Sequence, residues 1–254
     1  MLLAIDAGNT HTVVGLFDAA DLVDHWRIAT NADRTSDELA LTIQQFLGFH
    51  GFSFDDAITG VAVCSGVPMV TAALRDMTSR YFGFPALVLE PGVKTGMPIL
   101  YDNPKEVGAD RIANAVGAFE MHGGPSIVVD FGTATTIEAV SEKGEYLGGA
   151  IVPGIEISMD ALFGRAAGLR RVELVEPKHV IGKSTVESIQ SGALYGFSGQ
   201  VDALVERFQL ELGRCTVIAT GGLAELIGPH THCVQHYEPW LTLYGLRTVF
   251  ERNQ

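Results

Sequence analysis

Apolar residues along this chain fall into short runs, each closed by a cluster of small or polar residues. Leu2-Leu3-Ala4-Ile5 stops at Asp6-Ala7-Gly8-Asn9-Thr10, and Val13-Val14-Gly15-Leu16-Phe17 follows. That order predicts strand, glycine turn, strand: a hairpin. His25-Trp26-Arg27-Ile28 supplies a third strand. The period then changes. Leu39, Ile43, Phe46 and Leu47 recur at helical spacing after Thr35 and Ser36, which predicts a helix with one of that pair as N-cap. Further on, the pattern predicts a buried strand over 57–63 ending near Ser65-Gly66, a helix over 70–82 and a strand over 86–90. Residues 91–104 are rich in Gly and Pro and read as a loop. A helix with Ile112, Val116 and Phe119 on one face leads to a strand at 126–130. A late strand at 215–220 ends in Gly221-Gly222 and opens a helix at 223–227.

One of these strands echoes the first. Ala4-Ile5-Asp6-Ala7-Gly8-Asn9 parallels Val128-Val129-Asp130-Phe131-Gly132-Thr133 at an offset of 124 (130 − 6), and Thr12 maps onto Thr136 by the same offset. The echo predicts two related α/β halves, 1–115 and 116–254, with their Asp turns converging on one cleft. The first half carries one Asp turn and the Gly/Pro-rich loop over 91–104; the second carries the other Asp turn and Gly221-Gly222. Two unrelated buried strands ending in Asp-x-Gly would produce the same string.

The turns have the chemistry of a phosphate site. Gly8 lacks the Cβ that would keep a triphosphate off the main chain. Turn N–H groups and the hydroxyls of Thr10, Thr133 and Thr135 can donate to phosphate oxygens. Asp6 at a strand end suits hydrated Mg²⁺, and Asp130 offers a second hard oxygen ligand. Gly221-Gly222 at a helix start leaves a flat surface for an adenine ring or a phosphate. Each element alone is also an ordinary turn.

Composition narrows the partners. The 254 residues carry a formal charge of −13 with no Lys/Arg stripe, which argues against nucleic acid. No apolar run reaches the roughly 20 residues of a membrane helix, and the N-terminus lacks the basic and apolar regions of a signal peptide. Three scattered cysteines, Cys64, Cys215 and Cys233, suit reduced thiols; a cytoplasmic protein is expected.

With these motifs in view, the Asp6 turn, the copy Asp130-Phe131-Gly132-Thr133-Ala134-Thr135-Thr136 and the Gly221-Gly222 turn resemble the two phosphate motifs and the adenosine motif of actin/hexokinase-like (ribonuclease H-like) kinases. Four more stretches narrow the resemblance: Tyr101-Asp102-Asn103-Pro104, Gly108-Ala109-Asp110-Arg111, Gly148-Gly149-Ala150-Ile151-Val152-Pro153-Gly154 and Gly182-Lys183-Ser184-Thr185. Ending with Leu241-Thr242-Leu243-Tyr244-Gly245-Leu246, the chain is similar to type III pantothenate kinases over nearly its whole length.

The resemblance implies two actin-like α/β domains with a cleft between them. It implies phosphorylation of pantothenate by ATP to 4′-phosphopantothenate, the first step toward coenzyme A. Asp6, Ala7, Gly8, Asn9, Thr10, His11, Thr12 and Val13 would line the ATP phosphates, joined by Thr133, with Gly221 and Gly222 at the nucleoside. Asp130 would hold a monovalent cation, K⁺ or NH₄⁺, and Asp6 would meet Mg²⁺ through water. Asp110 would accept the proton, while Tyr101, Gly108, Ala109, Asp110, Arg111 and Thr185 would hold pantothenate. The family is a homodimer with its acceptor site near the subunit interface.

Plainer roles exist for the same side chains. Asp110 precedes an apolar-periodic helix and would serve as its N-cap; Thr185 would cap the next helix; Arg111 would be a solvated helix side chain. A Walker A loop is excluded for Gly182-Lys183-Ser184, because its first glycine would fall on Pro177. His230, His232, Cys233 and His236 fit no common zinc spacing. Arg165, Arg170 and Arg171 are either a solvated loop or an anion clamp. Two other functions share these features: a non-catalytic nucleotide-binding regulator, and a kinase of another small hydroxy compound.

Overall fold

The computed structural model describes residues 1–54, 58–166 and 168–254. They form two compact units: Met1–Glu120 together with Leu241–Gln254, and Met121–Trp240. The sequence pattern divides the chain once, near residue 115; in the structure the C-terminal segment returns to the first unit.

The first unit contains β1 (Leu2–Ala7), β2 (His11–Asp18), β3 (Asp21–Ala29), α1 (Ser36–Gly48), β4 (Gly60–Ser65), α2 (Pro68–Met77), β5 (Leu87–Val88) and the start of α3 (Ala109–His122). Its sheet runs β3-β2-β1-β4-β5. β1 pairs antiparallel with β2 and parallel with β4. Central β1 is covered on both faces, so its run is continuously apolar, whereas edge strand β3 alternates exposed and half-buried residues. Thr35 caps α1 in a reciprocal box with Glu38, and Leu39, Ile43 and Leu47 face the core with Ile5, Val63 and Leu74. The expected strand over 57–63 is Gly60–Ser65; Ala57 lies outside the described residues. The expected helix over 70–82 is α2 followed by a π turn at Thr78–Phe82, and it begins earlier because Pro68 is preset for a first helical turn.

The second unit contains β6 (Ser126–Phe131), β7 (Ala134–Val140), β8 (Tyr146–Pro153), α4 (Ile155–Arg165), α5 (Thr185–Leu212), β9 (Thr216–Thr220), the short α6 (Ala224–Ile227) and β10 (His236–Tyr237). Its sheet runs β10-β9-β6-β7-β8. β6 pairs antiparallel with β7 and parallel with β9, so the two sheets share one plan. The echo in the sequence is therefore an echo of topology. Its offset changes within the turn. Ala7 pairs with Thr12 but Phe131 pairs with Thr135, so the second turn is one residue shorter and Thr12 corresponds to Thr135, not Thr136. Both of these threonines are buried.

The last helix, α7 (Leu241–Glu251), completes the first unit. A Cβ on Gly245 would overlap the Ala113 carbonyl, and one on Gly117 would lie 2.7 Å from the Leu241 carbonyl oxygen. Backbone therefore meets backbone where α3 crosses α7. Thr242 Oγ1 donates to the buried Asn114 Oδ1 at 2.7 Å in the same contact. The Leu241–Leu246 segment is thus a helix-packing motif that fixes α3. Among the described residues no helix is long and apolar enough to cross a membrane.

Candidate active site

The Asp6 turn closes through Gly8 N–H donating to the His11 carbonyl at 3.0 Å. Asn9, Thr10 and His11 are exposed at its tip; Val13 is half-buried behind them. Thr12 is buried and its hydroxyl bonds Thr30 Oγ1 at 2.9 Å, so it braces β2 against the end of β3. Asp6 keeps a partly open face, but its carboxyl is enclosed, and Cys64 Sγ on β4 donates to Asp6 Oδ1 at 3.2 Å. Burial pushes the Asp6 carboxyl up from the ordinary 3.8 to about 6; the Cys64 thiol opposes this, and the charge of Asp110 adds to the rise.

Asp110 thus acts electrostatically on Asp6 although it lies more than 100 residues further along the chain. Asp110 is exposed on the first turn of α3, and its Oδ1 accepts the Arg111 backbone N–H at 2.9 Å. α3 starts at Ala109, so Asp110 is the second helical residue and not its N-cap. Gly108 packs against this carboxylate so closely that a Cβ there would strike Asp110 Oδ1. Arg111 is only 7% exposed, contrary to a solvated side chain, and it is not without a partner. Tyr101 is half-buried in the preceding loop. The first unit thus places Asp110, on the same short segment as Gly108, Ala109 and Arg111, within electrostatic reach of Asp6.

In the second unit the Asp130 turn meets the Gly221-Gly222 turn. Leu223 N–H donates to the Phe131 carbonyl at 3.3 Å. Gly221 has φ +93°, and a Cβ there would strike both Asp130 Oδ1 and the Phe131 backbone. Only glycine meets both demands. Thr133 is exposed at the turn tip, and its carbonyl accepts from Gly154 N–H at 3.1 Å. Thr185 stands elsewhere in this unit, on the rim of a cavity of about 920 Å³ lined by α4 and the start of α5, including Met159, Leu162, Lys183 and Ser184. Ser184 is the N-cap of α5, accepting from Glu187 N–H at 3.2 Å, so Thr185 is the first helical residue and its exposed side chain does not cap the helix.

The sequence profile of the type III pantothenate kinases matches residues 2–207. A type III pantothenate kinase from Streptomyces griseus is 59% identical over 261 residues, spanning 100% of this chain and 98% of that relative. The chain belongs to the type III pantothenate kinase family. Its fold is actin/hexokinase-like. The activator of 2-hydroxyisocaproyl-CoA dehydratase from Clostridium difficile, with ADPNP bound, matches at a TM-score of 0.61 and 12% identity, covering 99% of this chain and 96% of that one. A ROK hexokinase from Thermus thermophilus matches at 0.51 and 14%, covering 99% and 98%.

Within this pantothenate kinase scaffold, Cys64 and Thr220 lie beside the Asp strands, although the sequence pattern gives them no role at the site. The available signal was strand pairing. Cys64-Ser65-Gly66 and Thr220-Gly221-Gly222 both end the strand that runs parallel to the Asp strand. Among the described residues no group of three His, Cys, Asp or Glu side chains could hold a metal. Arg171 makes an exposed ion pair with Asp160, worth little in water.

Proposed function

We propose that the protein transfers the γ-phosphoryl group of ATP to the primary hydroxyl of pantothenate. The observation that carries this reading is that Asp110, at the start of α3, lies within electrostatic reach of the enclosed Asp6 in the same unit. One carboxylate is enclosed and ready for a cation; the other is exposed on a helix start and ready for an alcohol. The exposed tip of the Gly8–His11 turn would take the phosphates with N–H groups and the Thr10 hydroxyl. Asp6 fits hydrated Mg²⁺ because burial disfavours its bare charge, which a cation would restore. Asp130 fits a monovalent cation such as K⁺ or NH₄⁺: Gly221 and Gly132 keep side chains off its carboxylate. A cation bound there would offset phosphate charge.

In the step itself the pantothenate oxygen forms a bond to the γ-phosphorus as the bond to the β–γ bridging oxygen breaks. ADP leaves with that electron pair, and the hydroxyl proton passes to Asp110. Because a carboxylate is a far weaker base than an alkoxide, Asp110 orients the hydroxyl and receives its proton late. Gly108, by packing on Asp110, limits where the carboxylate can point. Tyr101 and Arg111 would contact pantothenate from the first unit.

A homodimer accords with the apolar surface of the second unit. Ile151 on β8, Ile157 and Leu162 on α4 and Val186 on α5 are all at least 41% exposed, more than solvent-facing strands and helices need. Sedimentation should give twice the chain mass. For the activity, purified protein with ATP, Mg²⁺ and K⁺ should release ADP only when pantothenate is present. ADP release without it, or on sugars instead, would overturn the assignment.

A further inference from the structure

Asp6 has a neighbour that the transfer chemistry does not call for. Parallel pairing of β1 with β4 sets Asp6 in register with Cys64. Residues in register on adjacent strands project to the same face. Cys64 has no solvent exposure, and its thiol donates to Asp6 Oδ1 at 3.2 Å. The second unit repeats the placement with a different side chain. Asp130 is in register with Thr220 on β9, and Thr220 is 2% exposed. Each strand-end aspartate therefore has a small buried side chain carrying one rotatable proton beside it, although the two strands share little else in sequence.

We infer that Cys64 is a positioning residue for phosphoryl transfer: its S–H occupies Oδ1 of Asp6 and so presents the other carboxylate oxygen to the hydrated Mg²⁺ of the nucleotide. The inference rests on the reading of Asp6 given above. The physical need is clear. The terminal torsion of an aspartate is broad, so an unpinned carboxylate samples many orientations. A water-bridged cation tolerates few of them. A thiol is a weak donor, and it serves only while it keeps its proton.

Two substitutions separate positioning from packing. Cys64→Val keeps the bulk and removes the donor; Cys64→Ser keeps a donor and loses bulk. Binding of a non-hydrolysable ATP analogue is measured by calorimetry across a Mg²⁺ titration, beside steady-state kinetics. Cys64→Val should need about tenfold more Mg²⁺ for half-maximal binding and lose about tenfold in kcat, with KM for pantothenate within about twofold. Cys64→Ser should restore both to near wild type. Equal losses in the two variants would reduce Cys64 to a packing residue, and no loss in either would leave it without a role; both results overturn the inference. Should Cys64→Val fail to unfold cooperatively, Cys64→Ala takes its place in the same comparison. Failure of the wild-type enzyme to release ADP in response to pantothenate would instead sink the kinase reading, so the two failures are distinguishable.

Discussion

The enclosed carboxyl of Asp6 should make the free enzyme less stable than it would be without that charge. Asp6 sits at about 6 in the folded chain against an ordinary 3.8, so the folded state binds its proton more tightly than the unfolded state. The stability this contributes is complete below 3.8 and is lost as pH rises through 6. At 1.36 kcal/mol per pKa unit, the whole loss is about 3 kcal/mol, of which about 2 kcal/mol falls between pH 4.5 and pH 8. Asp6→Asn cannot ionise and escapes the loss, while still offering an oxygen to the Cys64 thiol. Relative to wild type, the variant should therefore gain about 2 kcal/mol more at pH 8 than at pH 4.5. In thermal unfolding that is an extra rise of about 4–8 °C for a chain of this length. The assay is unfolding of both proteins at the two pH values, with EDTA and without nucleotide. Adding Mg²⁺ and the ATP analogue should then stabilise wild type and leave the variant almost unmoved, although the variant started higher. An Asp6→Asn gain that is equal at both pH values, or larger at pH 4.5, would refute the account of Asp6 as a carboxylate kept out of water until a cation arrives.

Other expectations follow from the same geometry. Asp110→Asn should lower kcat by about 10²–10⁴ while unfolding stays within about 1 kcal/mol of wild type, because the side chain is exposed and is not the helix cap. A large loss of stability with little loss of turnover would reverse the assignment. Gly221→Ala should destabilise by about 2 kcal/mol or more, since its Cβ meets Asp130 at a positive φ, and, on the proposal that Asp130 holds a monovalent cation, it should make ATP use insensitive to replacing K⁺ by Na⁺. Cys233 is half-buried, and burial with the Asp202 carboxylate pushes its thiol up to about 12. Its reaction with a thiol reagent at pH 8 should be roughly a thousandfold slower in native protein than in denaturant, and fast native labelling would contradict this.

The hydrophobic pattern conveys the strands that carry the Asp turns, because apolar runs ended by Asp-x-Gly leave few alternatives. It also conveys α1, whose Thr35–Glu38 box is local in sequence. It does not convey the 28-residue length of α5, because Gly192, Gly196 and Gly199 lower its helical propensity while its packed face decides the outcome. β8 is similarly hidden by Gly148 and Gly149. The burial of Arg111 escapes because a buried arginine needs partners that no local string records. Cys64 escapes for a related reason: its relation to Asp6 exists only once β4 has paired with β1.

The two copies of one sheet plan also differ where their chemistry should differ. After β9 the chain turns back on its own aspartate, with Gly221 against Asp130 and Leu223 bonded to Phe131. After β4 it does not. Ser65 Oγ accepts from Val67 N–H at 3.0 Å instead, and the chain leaves directly into α2. The space beside Asp6 is left to α3, which brings Asp110. An aspartate walled by its own glycine turn can serve a bare ion but offers little room for an organic acceptor. An aspartate whose neighbour is a second carboxylate on a separate helix has the pair of groups that transfer requires, one for the cation and one for the alcohol. On the proposed reading, this asymmetry of two turns after equivalent strands accords with Mg²⁺ and the acceptor beside Asp6 and with a monovalent cation at Asp130.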